Sequence, residues 1–354
     1  MVERMASARE LSRCRDRLDS VSASGLDCDG LRREVITSLQ HSIGFDRWCW
    51  PLADPETLVP SSGIAEHNYG TGVPRSLELE YSRDRYAAKH VVARRASPVA
   101  SLQAETSGDA ARSARWDEIL RPAGIGDVVT LACRDGHGCW GWIELYRDSD
   151  DRAFDSAAFE LLEAVGPALG SALRRRAMQH APPAAAEPAP PGTLVLDRDL
   201  RPVSWTTGAR AWIDSLPSAA LFAQWGMLPS VVYPTAVLAR SGSADAHALV
   251  QAVDGHWVRI EAAALEGERK GEVAVNLRSA TPRETFDLLC RVYALSPRER
   301  QIVSLLVDGL DTRAIAARLF ISSHTVQDHL KSVFAKVGIH SRRELLATLA
   351  ASSD

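Results

Sequence analysis

Nowhere in this chain does an apolar run approach the roughly eighteen residues that a membrane-spanning helix needs. Its first eighteen residues alternate charges among Leu11, Cys14 and Leu18, unlike a secretory leader. A cytoplasmic protein with no membrane partner is therefore expected. The six cysteines, at 14, 28, 49, 133, 139 and 290, have neither paired metal-ligand spacing nor the density of a disulfide scaffold. There is no Gly-rich phosphate loop, metal pair or nucleophile elbow, so no catalytic residue, metal site or cofactor is assigned and an enzyme is not expected. The N-terminal half also lacks the alternating strands and helices with which a phosphoacceptor domain begins.

What the chain does have is a dense set of helix signals in its last sixty or so residues. Ser296-Pro297-Arg298-Glu299 is a capping box with proline at the first helical position. Ile302, Leu305 and Leu306 then form one apolar face, and Gly309 marks the stop. Asp311 is placed to cap a short second helix that buries Ile315, Ala316 and Leu319. After a tight connection at Phe320-Ile321-Ser322, Ser322 caps a third helix. Val326, Leu330, Val333 and Val337 recur along its inner side, which leaves His324, Gln327, Asp328 and Lys331 on the other. Two short helices joined by a three-residue turn make a helix-turn-helix. Ser341-Arg342-Arg343-Glu344 repeats the capping box and opens a fourth helix.

Leu295-Ser-Pro-Arg-Glu-Arg, Gly309, Ile315-Ala316, Leu319, Ile321-Ser322, Thr325-Val326, His329, Lys336-Val337-Gly338 and Arg342 through Leu345 resemble the LuxR-type DNA-binding domain of bacterial transcription factors. The resemblance implies a third helix in the major groove of double-stranded DNA and a fourth helix making a dimer contact. Carried over by position, Gln327, Asp328 and Lys331 become the base readers. Arg313, Ser323, His324, Thr325, Lys336, Arg342 and Arg343 become backbone contacts, and Leu345, Leu346 and Leu349 the dimer contact. A homodimer is implied, with RNA polymerase as a candidate partner. The chemistry agrees: Gln pairs bidentately with adenine, Lys with guanine, and Asp accepts from cytosine N4. Many relatives carry Lys where this chain has Gln327, and Asp328 brings a negative charge near phosphates, so the operator stays open.

From residue 291 to 354 there are nine Lys and Arg against six acids, a net of +3, whereas the whole chain is −4 and the remainder therefore −7. A basic module joined to acidic domains is the expected charge footprint of a nucleic-acid binder.

The preceding chain, 45% apolar overall, suffices for two or three compact domains in all. Residues 31–43 predict a helix, 45–50 and 59–64 strands, 76–89 a polar-faced helix, 99–103 a strand and 112–120 a helix. Residues 128–133 and 139–146 predict a hairpin whose loop is flanked by Cys133 and Cys139. Those thiols, with His137, admit a redox switch or a partial metal site, but two half-buried thiols is the simpler reading. A long helix from Phe154 carries Ala158, Leu161, Leu162, Val165, Leu169 and Leu173 on one side, and Pro167 should bend it. Its stripe fits either packing on the sheet or a dimer seam. Trp48, Trp50, Trp140 and Trp142 admit an aromatic pocket or ordinary packing, and packing is preferred.

This order, ending in Gly141-Trp-Ile-Glu-Leu-Tyr146, Phe154 and the long helix, resembles a GAF sensory domain. Residues 181–192, with five prolines, read as a semi-stiff linker. Beyond it, strand, strand, helices and three further strands, with a hairpin around Asp254-Gly255, resemble a PAS-like domain. The expectation is a multidomain chain: GAF-like α+β over 1–180, linker 181–192, PAS-like α+β over 193–280, a connecting helix over 281–293 and an all-α four-helix LuxR-type helix-turn-helix over 294–354. It would act as a sequence-specific transcriptional regulator whose N-terminal domains sense an unidentified small molecule or mediate assembly. The alternative is a ligand-binding or protein-interaction protein whose terminal helices make protein contacts.

Overall fold

The computed structural model describes residues 8–66, 70–177 and 189–351, with side chains described over 12–66, 70–177 and 189–346. Most of the proline-rich stretch 181–192 lies outside them. The elements run α1 (Ala8–Ser22), α2 (Cys28–Ile43), β1 (Arg47–Ala53), β2 (Pro60–Glu66), α3 (Val73–Ser82), α4 (Lys89–Val92), β3 (Val99–Ser101), α5 (Leu102–Glu105), β4 (Ile125–Asp135), β5 (Gly138–Asp148) and α6 (Ser156–Arg176). They continue as β6 (Gly192–Leu196), β7 (Pro202–Trp205), α7 (Thr207–Ser215), α8 (Ala219–Ala223), α9 (Val232–Arg240), β8 (His247–Gln251), β9 (Trp257–Ala264) and β10 (Val273–Ser279). Five helices finish the chain: α10 (Pro282–Val292), α11 (Pro297–Val307), α12 (Thr312–Leu319), α13 (Ser323–Val337) and α14 (Arg342–Ala351).

Among the described residues ten strands form two sheets of five, ordered β2-β1-β5-β4-β3 and β7-β6-β10-β9-β8, with every pairing between these strands antiparallel. Counted within each sheet the order is the same, so one α+β topology occurs twice. Both units are thus α+β, as the strand and helix order predicted.

In the first unit α1, α2 and α6 cover one face. Val129, Leu131, Ile143 and Leu145 of the sheet pack there with Leu162, Val165 and Leu169. The stripe on α6 is thus spent on its own core, and the helix continues through Pro167. Gly170 permits the close approach, since a Cβ there would lie 2.5 Å from the Arg134 carbonyl carbon. Helix α1 had no clear sequence signal; Cys14 and Leu18 bury it against α2 and α6.

The opposite face corrects two expectations. The helix placed over 76–89 ends at Ser82 and is not polar-faced, because Ser76 and Glu80 are buried. The helix expected over 112–120 is present but shorter and wider: it begins after Ser113 and runs into a π turn (Trp116–Leu120), and a 3-10 turn (Ala110–Arg112) precedes it. Here Asp84 accepts from Ser113 Oγ and the Arg115 N–H, and Ser113 Oγ accepts from the Trp116 N–H, so side chains satisfy the first N–H groups of the turn. A four-charge cluster fills this face: Lys89 Nζ lies 2.6 Å from Glu80 and 3.0 Å from Glu144, and Arg115 lies 3.3 and 3.2 Å from the same two carboxylates. All four are buried. Burial alone would raise the Glu144 pKa, but the adjacent Lys89 and Arg115 charges hold it at about 2. Two cations against two anions keep the group neutral, which is what makes burial tolerable. Glu144 in an otherwise apolar strand was its one sequence trace.

Trp48, Trp50, Trp140 and Trp142 are buried, as packing requires. Cys133 packs with the α6 side of the sheet and Cys139 with Ala132 and Trp142 on the other side, so the two thiols do not face one another. Burial raises both pKa values, that of Cys139 to about 12.

The two units share packing. Val59, Val73, Leu77 and Tyr81 of the first join the core of the second, where α3 meets α9. Asp54, buried, accepts from the Leu249 N–H at 2.7 Å, and Arg240 pairs with Glu78 at 2.7 Å.

Candidate nucleic-acid interface

The last four helices close around Leu295, Ile302, Val303, Leu306, Ile315, Val326, Leu330, Val333 and Leu345. Each expected start is present. Ser296 and Glu299 form a reciprocal capping box; Asp311 caps α12 by accepting from the Ala314 N–H, and Ser322 caps α13 by accepting from the Thr325 N–H. The fourth box differs in detail, because Glu344 accepts from the His340 N–H, where Ser341 was expected to donate, and also takes the Ser341 hydroxyl. Phe320 ends α12 in the left-handed conformation, φ 55°, and projects from the turn 95% exposed.

Helix α13 buries Val326, Leu330 and Val333 and turns Gln327, Asp328 and Lys331 to solvent. Asp328 holds this face in order, lying 2.8 Å from His324 Nδ1 and 3.3 Å from Lys331 Nζ. Its pKa is lowered, first by the Lys331 hydrogen bond and then by the His324 charge and hydrogen bond. Lys331, expected at a base edge, is therefore paired with a carboxylate one turn away. At the start of α13 Ser323 and His324 are exposed and Thr325 is half-buried; Arg313 of α12 and Arg343 of α14 are exposed as well.

Three positions depart from the expectation. Lys336, expected at the DNA backbone, spends its ammonium on Glu299 at 2.6 Å and on the Ala294 carbonyl at 3.1 Å. Arg342 donates to the Leu310 carbonyl at 2.6 Å, tying the start of α14 to the α11–α12 loop. Leu345, expected at a dimer contact, is buried in its own module's core. Leu346 packs partly on that core, and the Leu349 side chain lies outside the described residues.

Sequence reasoning missed the second use of Glu299. Besides capping α11 it accepts from Ser332 Oγ at 2.7 Å and from Lys336, so one buried carboxylate bolts α11 to the far half of α13. Burial alone would raise its pKa, but hydrogen bonds from Lys336, Ser296 and Ser332 lower it to about 2. The capping box was visible; the i, i+4 pair Ser332 and Lys336 was the only sign of its second partner.

Helix α10 joins this module to the rest. Leu289 and Cys290 enter the four-helix core, whereas Leu288 and Val292 enter the core of the first α+β unit. Its C-terminal end is held by Arg174 of α6, which donates to the Val292 carbonyl at 2.7 Å, and by Arg291, which donates to the His137 carbonyl at 3.1 Å.

Residues 293–349 match the family model described as bacterial regulatory proteins, luxR family. The chain is 38% identical over 55 residues to the spore germination protein GerE of Bacillus subtilis, a match covering 16% of this chain and 74% of that protein. It is 49% identical over 53 residues to an HTH-type transcriptional regulator of Mycobacterium tuberculosis, covering 15% of this chain and only 6% of that one. Among solved structures, Escherichia coli SdiA aligns over 97% of both chains at 12% identity and a TM-score of 0.35.

Proposed function

Because this chain belongs to the luxR family of bacterial regulatory proteins, we propose that it is a transcriptional regulator that reads duplex DNA through α13, under the control of its two α+β units. Gln327, Asp328 and Lys331 read base edges in the major groove, and Arg313, Ser323, His324, Thr325 and Arg343 contact phosphates. Two copies on paired half-sites would set their third helices about 34 Å apart, one turn of B-DNA. The observation that carries this reading is the outward face of α13, where the three side chains stand exposed on a module of net charge +3.

The test is binding of the full chain to selected and random duplexes at two salt concentrations. Selective binding should weaken by about 0.9 log units per log unit of salt for each phosphate neutralised. Lys331→Ala or Gln327→Ala should relax the preferred sequence, each costing about 1–3 kcal/mol of discrimination. Binding that is equal on random and selected DNA, or unmoved by both substitutions, would refute the assignment.

A further inference from the structure

A cavity of about 470 Å³ lies between the two α+β units, within the roughly 300–1,000 Å³ typical of small-molecule sites. One wall comes from β2 and the ends of α2 and α6, the facing wall from β8 and Trp257, and Leu288 of α10 completes it.

The lining chemistry narrows the occupant. Trp140, Trp257, Leu173 and Leu249 supply aromatic and aliphatic surface. The charged groups beside them are largely committed, although the buried Arg32 Nε has no hydrogen-bond partner among the described residues and offers one donor to a ligand. Arg32 donates to Asp29 and to the Trp50 carbonyl, Arg176 donates to the Leu26, Ser24 and Ala172 carbonyls, and Asp27 caps α2. By contrast, the hydroxyls of Ser61 and Ser62 have no hydrogen-bond partner among the described residues. The walls thus suit an uncharged ligand with an aromatic body and a hydrogen-bonding head.

The two helices at the cavity are those that hold the DNA-binding module. Helix α6 lends Leu173 and Arg176 to the wall, and Arg174 between them grips the end of α10. Helix α10 lends Leu288 to the cavity while its neighbours Leu289 and Cys290 sit in the four-helix core. We infer that this interdomain cavity is an effector site for a compact, uncharged aromatic molecule with a hydrogen-bonding head, and that its occupancy reaches α13 through α6 and α10. The coupling rests on the reading of the chain as a DNA-binding regulator; the site itself does not.

The probe is N-phenyl-1-naphthylamine, a neutral aromatic amine, titrated into the full chain while tryptophan emission is followed. Saturable binding with quenching is expected. Val253→Trp, at a lining residue 69% exposed and so harmless to folding, and Ser62→Trp should each weaken it at least tenfold. Saturating probe should also change DNA affinity several-fold in the parent chain and not in either variant. Absent or non-saturable binding, or binding unchanged in both variants, overturns the site. Probe bound without effect on an intact DNA affinity overturns the coupling. A chain that binds the probe as expected but binds no duplex overturns the regulator reading and leaves the site standing.

Discussion

Replacing Glu299 with Gln changes no shape and removes one charge from the joint between α11 and α13. In the parent chain that carboxylate accepts from the Ser296 N–H, Ser332 Oγ and Lys336 Nζ, each within 2.7 Å. Its pKa falls from an ordinary 4.5 to about 2, a difference worth about 3 kcal/mol at 1.36 kcal/mol per unit. Lys336 is about a third exposed, so solvent screening reduces the expected loss to roughly 2 kcal/mol. Because the folded pKa is depressed, the stabilisation is fully present above about pH 4.5 and disappears as the pH falls toward about 2. Hydrogen exchange of the amides in α11 and α13 of the full chain measures this opening locally. At neutral pH the variant should exchange roughly 30-fold faster there, with α2 and α6 unchanged. After correction for intrinsic rates, parental protection should decline through the acid range while the variant's stays flat. Exchange within threefold of the parent at neutral pH, or a variant that keeps the acid decline, would refute this account of the joint.

Three further outcomes follow from the same physical terms. Asp328→Asn should release Lys331, raising affinity for random duplex and steepening the salt dependence by about 0.9 in log–log slope for one added phosphate contact; an unchanged slope would show that the pairing does not restrain Lys331. Glu144→Ala leaves Lys89 and Arg115 buried with one carboxylate between them and should cost about 3–5 kcal/mol, read as a lower urea midpoint of the first unit; a midpoint within error of the parent would contradict the ledger of two cations against two anions. Burial raises the pKa of Asp54, so its ionisation opposes folding and stability falls as the pH rises through that raised pKa. Asp54→Asn, which keeps an acceptor for the Leu249 N–H, should therefore melt no lower than the parent at neutral pH, whereas Asp54→Leu should melt lower.

Local signals determined most of the C-terminal module. Capping residues at 296, 311, 322 and 341, apolar spacing of three and four, and Gly309 after a helix end act within a few residues of one another. They locate four helices without any knowledge of what packs where. The same locality put Gln327, Asp328 and Lys331 on one face, because a helix fixes that relation by itself. The order of strands along the two α+β units and the long α6 were legible for the same reason, through alternation and the apolar stripe that follows Phe154.

Long-range contacts decided the rest. Lys336 reads as a phosphate contact until α11 brings Glu299 within 2.6 Å. Leu345 reads as a dimer contact until the fold encloses it. The residues from 76 to 89 read as a polar helix until Lys89 and Arg115 arrive to neutralise Glu80 and Glu144. The cavity between the two units has no sequence signature, since its walls come from segments as distant as Asp27 and Leu288. Periodicity and capping report what a residue does within its own turn or strand. Which charge meets which, and which apolar face is left to line a cavity, depends on pairings across hundreds of residues that only the folded chain supplies.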